Sequence, residues 1–372
     1  MKHYRDLTEF ESLRKGFNKA KLGNREKESV ARFENNQIEA ILYLQYLLRT
    51  GKYKTSEYYE FYVYEPKKRL VKTNSFKDKV VQQALCEEVV RPILKNVLIK
   101  DNYASQPKKG THFGLERLQG FLRNYYFSRK AKMEKERRSE GKRPSKEDIK
   151  SYSTGYVLKC DIKKYFYSIR HEELKRMVRR YFHEQNVRWL INHIIDSDVD
   201  PGIPIGNQLS QWLALLFLNE MDHLIKERLG IKYYGRYMDD FYLIHEDKDY
   251  LKYCLGEIEE YLKGIGLELN QKTQIFPLRH GIDFLGFHTY LTESGKVVRK
   301  LRRGSKNRMK KKIRKYASML EKGEIIPDEV EKSCKSWKAH ASHGDCYYLI
   351  KKMDQYYNEK IVKEKLNGAK IK

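Results

Sequence analysis

Two adjacent acids inside an apolar segment constrain this chain more than any other feature. Asp239 and Asp240 lie within the aromatic and aliphatic stretch 231–244. The residues on either side of the pair have the composition of β-strands, which predicts a hairpin with both acids at its tip. Asp-Asp also occurs in ordinary turns, because Asp tolerates left-handed backbone, so a structural turn is the competing interpretation. Two carboxylates between hydrophobic strands are costly unless a cation lies between them, which favours a divalent metal ion.

A third acid, Asp161, supports a catalytic role for the pair. It ends an apolar strand that contains Leu158 and Cys160, and aromatic residues follow it. Two metal ions about 3.5–4 Å apart, which clamp the attacking and leaving oxygens, need carboxylates from separate strands. Mg²⁺ takes oxygen ligands and keeps positions open for phosphate oxygens. The three acids therefore predict nucleotidyl transfer with two Mg²⁺ ions, for which Mn²⁺ could substitute.

The charge balance predicts a polyanionic partner. The chain has 372 residues, 40% of them hydrophobic, and a formal net charge of +26. So large a positive excess favours nucleic acid, with an anionic membrane surface as the alternative. No apolar run approaches the roughly 18 residues of a transmembrane helix, so we expect a cytoplasmic protein with no membrane partner. The five cysteines are widely spaced without a Cys-x-x-Cys pair, which argues against a zinc site or a disulfide framework.

Periodicity predicts helices and one early hairpin along the chain. Residues 1–60 should be largely helical with a stop at Gly51, and residues 58–71 should form a hairpin with a basic turn. Further helices are predicted at about 76–94, 171–196, 208–229 and 248–264. The charged stretch 129–153 cannot build a core and is interpreted as a mobile surface insertion.

The C-terminal part is basic and helical in pattern. Residues 299–315 contain 11 Lys or Arg in 17 positions. A solvated helix is the usual explanation of such a run, but charges of nearly one sign favour a helix that follows a phosphate backbone. Another helix is predicted over 347–357. Trp337 and His340 fit either a nucleic-acid contact or a core position, and the core position is favoured.

The order of these motifs resembles the fingers and palm of reverse transcriptases over roughly residues 58–290. A basic hairpin precedes Asp161, and the segments 202–211, 237–240 and 285–287 follow in that order. The resemblance implies an α+β right-hand polymerase, with a palm of antiparallel strands packed on helices and a helical thumb. It also implies RNA-directed DNA synthesis from dNTPs, with template RNA and the RNA/cDNA duplex as partners. The implied domains are an N-terminal helical extension (1–57), fingers (58–157, with the insertion 129–153), palm (158–290, with fingers elements near 171–200) and basic thumb (291–372).

The resemblance also implies roles for individual residues. Asp161, Asp239 and Asp240 would bind the metal ions, with Ile162 as a further ligand, and Lys272 would protonate the leaving pyrophosphate. Phe166 would be the steric gate that excludes a ribose 2′-hydroxyl. The other implied nucleotide-binding residues are Lys67, Lys68, Arg69, Ile205, Gly206 and Gln211. The implied primer and template contacts are Tyr237, Met238, Leu285, Gly286, Phe287, Arg302, Arg303, Lys310 and Lys311.

One segment points to a subgroup. Residues 205–211 read Ile-Gly-Asn-Gln-Leu-Ser-Gln, which resembles the Ile-Gly-x-x-x-Ser-Gln signature of reverse transcriptases from diversity-generating retroelements, whereas most of the family has Gln-Gly-x-x-x-Ser-Pro. Such enzymes, bacterial or phage-encoded, copy a template-repeat RNA for mutagenic retrohoming, are error-prone opposite adenine and work with a small basic ring-forming accessory protein. Ile205 in place of Gln removes one oriented hydrogen bond, worth about 1 kcal/mol.

Three alternatives remain open on the sequence. The first is a bacterial reverse transcriptase used in phage defence, which the genomic neighbourhood would distinguish. The second is a group II intron maturase, which is disfavoured because no endonuclease-like domain follows the basic segment. The third is a non-catalytic RNA-binding scaffold, which the intact acids argue against, because an unused carboxylate cluster would cost stability.

Overall fold

The structure is a computed structural model that describes residues 3–64 and 68–362. The chain divides into two compact units. The first comprises Met1–Pro107, Cys160–Tyr242 and Lys252–Gln274, and the second comprises Lys108–Lys159, Leu243–Leu251 and Ile275–Lys372. Helices and short sheets are mixed along the chain, so the predicted α+β class is confirmed.

Four helices begin the first unit, as the spacing in residues 1–60 predicts. They are α1 (His3–Leu7), α2 (Phe10–Ala20), α3 (Glu28–Asn35) and α4 (Gln37–Arg49). Helix α4 buries Ile41, Leu44 and Leu48 and has Thr50 as its C-cap. Gly51 comes directly after that cap, so the predicted stop is confirmed.

A hairpin follows, with strand β1 (Tyr59–Val63) antiparallel to β2 (Arg69–Thr73). Val63 pairs with Arg69 across it, which confirms the hairpin expected over residues 58–71. Residues 65–67 of its basic turn, including Lys67, lie outside the described residues. All of β1 is exposed, so this sheet contributes a surface and not a core.

The region predicted as one helix over 76–94 is helical throughout. It consists of α5 (Phe76–Leu85), a π-helical turn (Cys86–Val90) and α6 (Arg91–Leu94). Five of its apolar residues are buried: Val80, Val81, Ala84, Leu85 and Val89. Helix α5 packs against α2 of the same unit.

Five further helices of the first unit lie between residues 165 and 223. They are α9 (Tyr165–Ser168), α10 (His171–Tyr181), α11 (Gln185–Ile195), α12 (Gln208–Phe217) and α13 (Asn219–His223), which runs into a π-helical turn (Leu224–Arg228). In α12, Leu209, Ser210 and every residue of 212–217 are buried, because its sequence is apolar on all sides. These elements confirm the helices expected over 171–196 and 208–229.

A four-stranded sheet carries the acids. Its strands are β3 (Tyr156–Asp161), β4 (Tyr233–Tyr237), β5 (Asp240–His245) and β6 (Gln274–Pro277), in the order β4-β5-β3-β6. Residues 233–236 of β4 and 241–244 of β5 are buried, which explains why this segment is apolar in the sequence. Helix α14 (Lys248–Gly264) follows β5, in agreement with the prediction.

The charged stretch 129–153 has regular structure, which an insertion that is simply mobile would lack. Residues 129–139 continue helix α7 (Thr111–Ser139), and α8 (Lys146–Ser151) follows. Ser145 caps α8 in a reciprocal capping box with Asp148. Arg137 donates to both carboxylate oxygens of Asp148, at 2.9 and 2.8 Å. Composition excluded a core here, but local caps and a bidentate ion pair still order the chain.

The second unit also holds a three-stranded antiparallel sheet and three helices. The strands are β7 (Ile282–Phe284), β8 (Phe287–Leu291) and β9 (Val297–Leu301), and the helices are α15 (Arg303–Glu321), α16 (Pro327–Ala341) and α17 (Tyr347–Tyr357). Helix α17 has the bounds predicted for it. The basic segment 299–315 is a helix only from Arg303 onward.

Arg299 corrects the interpretation of that basic segment. It lies in β9 and is buried, and its guanidinium donates to the carbonyls of His343 and Leu115, both at 2.9 Å. A buried guanidinium that holds main-chain carbonyls is structural, so this residue does not follow a phosphate backbone. Trp337 packs against the core formed by Met309 and its neighbours, as favoured from the sequence.

The cysteines and the polarity of the helices bear on two predictions made from the sequence. All five cysteines are buried, and none is joined to another by a disulfide bond. In the described residues, every helix is too short or too polar to cross a membrane.

Candidate active site

The turn between β4 and β5 holds the Asp pair. Met238 and Asp239 are the only residues between the two strands, and Asp240 is the first residue of β5. Met238 has a φ of 56°, a left-handed conformation that costs a non-glycine residue about 1 kcal/mol or more and is often found at functional sites. Both acids are half-buried. The predicted position at a hairpin tip is confirmed.

Asp161 lies beside this turn within the first unit. It is the last residue of β3, which neighbours β5 in the sheet. The main-chain N–H of the next residue, Ile162, donates to the carbonyl of Asp239 at 3.2 Å. One hydrogen bond therefore joins the two chain segments that carry the acids, although they are far apart in sequence.

Asn270 braces Asp161 from a second direction. Its main-chain N–H donates to the Asp161 carbonyl at 2.7 Å, and its side-chain Nδ2 donates to Asp161 Oδ2 at 3.1 Å. The N–H of Lys272 donates to Asn270 Oδ1 at 3.2 Å, while the Lys272 side chain is exposed. Sequence reasoning gave Asn270 no role. The available signal was the Asn itself, because Asn side chains often bond to the main chain two residues later and so stabilise turns.

The donors near the turn suit magnesium by type. They are the carboxylates of Asp161, Asp239 and Asp240, to which Ile162 could add only its main-chain carbonyl, because its side chain is a hydrocarbon with no donor atom. In the described part of the chain, no three His, Cys, Asp or Glu side chains are arranged to hold a metal ion by themselves. Mg²⁺ in nucleotide sites is usually bound by one or two carboxylates and completed by substrate phosphates and water. The donor set therefore fits a site that the substrate completes.

A buried ion pair that the sequence did not reveal lies beneath the turn. Arg236 on β4 and Asp222 on α13 are both fully buried and form a bidentate pair, with Nε–Oδ1 at 2.7 Å and Nη2–Oδ2 at 2.6 Å. Burial acts to lower the pKa of the Arg236 guanidinium, but Asp222 outweighs that effect, so the net shift is upward. Arg236 Nη1 donates to the carbonyl of Met238 at 2.9 Å. The pair thus reaches the turn that carries Asp239.

Comparison with known families decides the classification. The family described as "Reverse transcriptase (RNA-dependent DNA polymerase)" matches residues 56–289. The chain belongs to the reverse transcriptase family. That family has the right-hand polymerase fold, so the predicted fold class is confirmed beyond its α+β content. No curated protein matches the sequence.

This chain is similar to solved structures of telomerase. Apo telomerase from Candida tropicalis, truncated from its C-terminal domain, has 15% identity and a TM-score of 0.44, covering 70% of this chain and 60% of the telomerase chain. Telomerase from Candida albicans, in complex with a TWJ fragment of telomeric RNA, has 13% identity and a TM-score of 0.45, covering 83% and 59%. The chain therefore spans about 60% of the length of each telomerase.

Phe166 lies on the short helix α9, five residues after Asp161 in the sequence. Its ring is half-buried and makes an edge contact with Tyr165, with ring centroids 5.6 Å apart. Its carbonyl accepts the N–H of Ile203 at 2.9 Å. The hydroxyl of Tyr167, which sequence reasoning did not single out, donates to the Leu70 carbonyl at 3.1 Å. This short helix therefore contacts both strand β2 and the segment that precedes Ile205.

Ile205 and Gly206 pack against strand β2. The N–H of Lys72 donates to the Ile205 carbonyl at 3.1 Å. Gly206 has a φ of 124°, and a Cβ placed on it would lie 2.9 Å from the Lys72 carbonyl oxygen and 3.0 Å from Val71 Cγ1. The glycine is thus required for the close approach of two backbones. Arg69, on the same strand, is exposed.

Gly206→Ala is expected to lower the free energy of unfolding by about 2 kcal/mol, because it adds a left-handed alanine and a backbone clash. Urea denaturation followed by circular dichroism measures this. Gly256→Ala is the matched control, since Gly256 lies within α14 with nothing within 4 Å of the new Cβ. That change should be neutral or stabilising. Equal losses in both variants would contradict the assignment of Gly206 to a close contact.

Gln211 and Lys68, the remaining predicted nucleotide-binding residues that the structure describes, lie at different positions in the first unit. Gln211 is half-buried on α12, and its Oε1 accepts from the hydroxyl of Ser105 at 2.7 Å. Lys68 is exposed, with Nζ 4.3 Å from the centroid of the Tyr62 ring. Asn207, which carried no prediction, is buried and donates to Asn74 Oδ1 at 2.6 Å. The side chains of Gln211 and Asn207 therefore form hydrogen bonds within the fold.

The predicted primer contacts after residue 284 lie in the second unit. Leu285 and Gly286, with φ values of 49° and 88°, connect β7 to β8. Phe287 is fully buried against Leu115 and other residues of this unit, so any contact it makes with nucleic acid must come from its main chain. A Cβ at Gly286 would lie 3.4 Å from His340 Nε2. The space beside Gly286 is therefore already occupied by the His340 side chain.

The four basic residues predicted to contact the duplex are in or next to α15. Arg302 is exposed and its Nε lies 3.1 Å from Asp283 Oδ2. Arg303 and Lys311 are exposed, whereas Lys310 is half-buried with Nζ 5.0 Å from the Tyr356 ring centroid. Three of the four, Arg302, Arg303 and Lys311, are thus exposed, and Arg302 is paired with Asp283.

Proposed function

We propose that this chain is an RNA-directed DNA polymerase that makes error-prone cDNA from a template-repeat RNA in a diversity-generating retroelement. The observation that carries the catalytic part is the hydrogen bond from Ile162 N–H to the Asp239 carbonyl, which holds Asp161 beside the Asp pair. The family match supports the polymerase assignment. The retroelement assignment rests on the sequence of residues 205–211.

The three acids would divide the chemistry between them. Asp161 and Asp239 are the proposed bridging ligands, and Asp240 would contribute negative charge at the same turn. Two bound Mg²⁺ ions would lower the cost of forming the primer 3′-alkoxide and would neutralise charge on the departing pyrophosphate. The Asn270 bond to Asp161 Oδ2 directs the other carboxylate oxygen away from the brace and leaves it available as a ligand.

Cationic side chains of the first unit would hold the triphosphate. Arg69 and Lys68 are both exposed on the hairpin, and a guanidinium fork suits bidentate contact with phosphate oxygens. Lys272 is exposed at the turn after Asn270, where it could donate a proton to the leaving group. Lys67, although outside the described residues, belongs to the same proposed group.

The remaining partners follow from charge and from the subgroup. A net charge of +26 favours binding of the template RNA and the RNA/cDNA duplex, with α15 in contact with the backbone. We also propose a cytoplasmic location, and a small basic accessory protein that assembles as a ring.

Primer extension by the full chain tests the proposal. The reaction contains an RNA template with many adenines, a DNA primer, dNTPs and Mg²⁺, with EDTA as the control, and the cDNA is sequenced. We expect extension only with Mg²⁺ and errors concentrated opposite adenine. Uniformly distributed errors would instead favour the phage-defence alternative. Salt-sensitive RNA binding without any product would establish the scaffold alternative.

Ile205→Gln is expected to lower the error frequency opposite adenine about fivefold, because Gln restores an oriented hydrogen bond worth about 1 kcal/mol near the nascent pair. Sequencing of cDNA made by both proteins measures it. Ile205→Val, which stays apolar, is the control and should keep the original error frequency. An unchanged error frequency in the Gln variant would remove Ile205 from the explanation of infidelity.

A further inference from the structure

Arg236 is the largest fully buried side chain in the described residues, and it lies two residues before the turn that carries Asp239. A buried arginine is costly unless its N–H groups are satisfied. Three different groups satisfy it: the Asp222 carboxylate, the Leu215 carbonyl at 3.2 Å from Nη2, and the Met238 carbonyl at 2.9 Å from Nη1. Only the last of these belongs to the active-site turn.

Contacts outside the turn fix the position of the Arg236 guanidinium. Its main chain is held by two hydrogen bonds, from its own N–H to the Asp101 carbonyl and from Tyr103 N–H to its carbonyl, both at 2.9 Å. Its partner Asp222 also accepts the hydroxyl of Tyr234 at 2.5 Å. A planar fork held on one side by a bidentate carboxylate leaves Nη1 with little freedom of direction.

The contact at Met238 matters because the turn is strained. Met238 has a left-handed φ of 56°, so its peptide unit has a cost that other contacts must offset. The donor on its carbonyl fixes the plane of the peptide that leads into Asp239. The next carbonyl, that of Asp239, is fixed by Ile162 N–H at 3.2 Å. The carbonyls of Met238 and Asp239 thus accept hydrogen bonds from two different parts of the chain, Arg236 on β4 and Ile162 after β3.

We propose that Arg236, oriented by Asp222, is a positioning residue that sets the direction of the Asp239 carboxylate through the Met238 carbonyl. The inference rests on the proposed function, because it assumes that Asp239 binds the metal ion. Partners that orient metal ligands typically change metal affinity or activity 10–100-fold when removed.

Three variants of the full chain test this inference. Arg236→Lys keeps a charge opposite Asp222, but a single ammonium cannot serve both the carboxylate and the Met238 carbonyl. The double variant Arg236→Met with Asp222→Leu replaces the buried pair by apolar groups, which usually preserves folding, and it also removes the donor to Met238. Tyr234→Phe is the matched control, since it removes a hydrogen bond from Asp222 and leaves the Met238 contact in place.

The main measurement is hydrogen exchange of the Ile162 amide, which reports its bond to the Asp239 carbonyl without any metal ion. We expect exchange about tenfold faster in Arg236→Lys and in the double variant, and unchanged in Tyr234→Phe. Mn²⁺ affinity, followed by electron paramagnetic resonance, should fall about tenfold in the same two variants. Affinity for the template–primer duplex should stay within about twofold of wild type, because Tyr237 and Met238 are retained and the other proposed duplex contacts lie outside the turn.

The two proposals fail in different ways. Wild-type exchange at Ile162 in both Arg236 variants would overturn the positioning role, whatever the activity. Equal acceleration in Tyr234→Phe would also overturn it, because the effect would then come from a general weakening of the buried pair. Absence of Mn²⁺ binding and primer extension in the wild-type protein would instead refute the proposed function, and the exchange data would still decide whether Arg236 fixes the turn. If Arg236→Lys does not fold, the double variant decides the outcome.

Discussion

Asp239→Asn is expected to slow RNA-templated primer extension by about 10³-fold. The substitution keeps the size of the side chain, and the bond from Ile162 N–H to the Asp239 main-chain carbonyl is independent of the side chain, so the turn should be retained. What is lost is one negative charge at the place where positive charge must be held. A factor of 10³ corresponds to about 4 kcal/mol of transition-state stabilisation, the size of a major electrostatic contribution.

The measurement is the single-turnover extension rate with saturating Mg²⁺ and dNTP. Asp328→Asn is the matched control, because Asp328 is an exposed acid in the first turn of α16, and its rate should equal that of wild type. Template–primer affinity and the melting temperature should be the same in all three proteins. An Asp239→Asn rate within tenfold of wild type, with folding intact, would mean that this acid is not a metal ligand in the reaction.

The helices and the positions of the three acids were predictable because their signals are local. The period of apolar residues gave the bounds of α14 and α17 closely, since each helix has one buried face. The Asp pair stood out because two acids inside an apolar hairpin have few structural explanations. The position of Asp161 at the end of a strand was likewise visible as a change from apolar to polar sequence.

The residues that hold the acids in place were not predictable. Arg236 and Asp222 are 14 positions apart, and each looks like an ordinary surface charge in a basic protein. The Asn270 contact with Asp161 spans 109 positions. Such contacts depend on how separate elements meet in the first unit, and no local pattern records that. The same reason explains Arg299, which belongs to a basic run in sequence but is buried in β9.

The charge composition indicated the kind of partner but did not indicate that residues 129–153 have regular structure. The stretch 129–153 lacks the apolar residues of a core, yet a capping box at Ser145 and the Arg137–Asp148 pair give it helical structure. Caps and ion pairs of this kind require only a few residues at fixed spacing. A low apolar content therefore excludes a core but does not exclude a defined conformation.

Phe166→Ala is expected to raise the ratio of ribonucleotide to deoxyribonucleotide incorporation about 10²-fold. The ring is half-buried beside Tyr165, and the Phe166 carbonyl is held by Ile203 N–H at 2.9 Å, so removal of the ring should leave its main chain in place. Forcing one extra hydroxyl against a packed ring costs about 1–3 kcal/mol, or about 5–150-fold in relative rate. Removal of the obstacle should return most of that factor, chiefly as faster use of the ribonucleotide.

Competition between dNTP and rNTP on one RNA template, with the ratio of kcat/KM values as the readout, measures the effect. Phe166→Tyr keeps the bulk of the ring and should keep the discrimination. Tyr167→Phe tests the neighbouring contact, because it removes only the hydroxyl that bonds to the Leu70 carbonyl, and it should also discriminate like wild type. If Phe166→Ala excluded ribonucleotides as strongly as wild type does, the obstacle to the 2′-hydroxyl would have to lie elsewhere in the first unit. If Tyr167→Phe alone lost discrimination, the packing of α9 on β2 and not the Phe166 ring would be responsible.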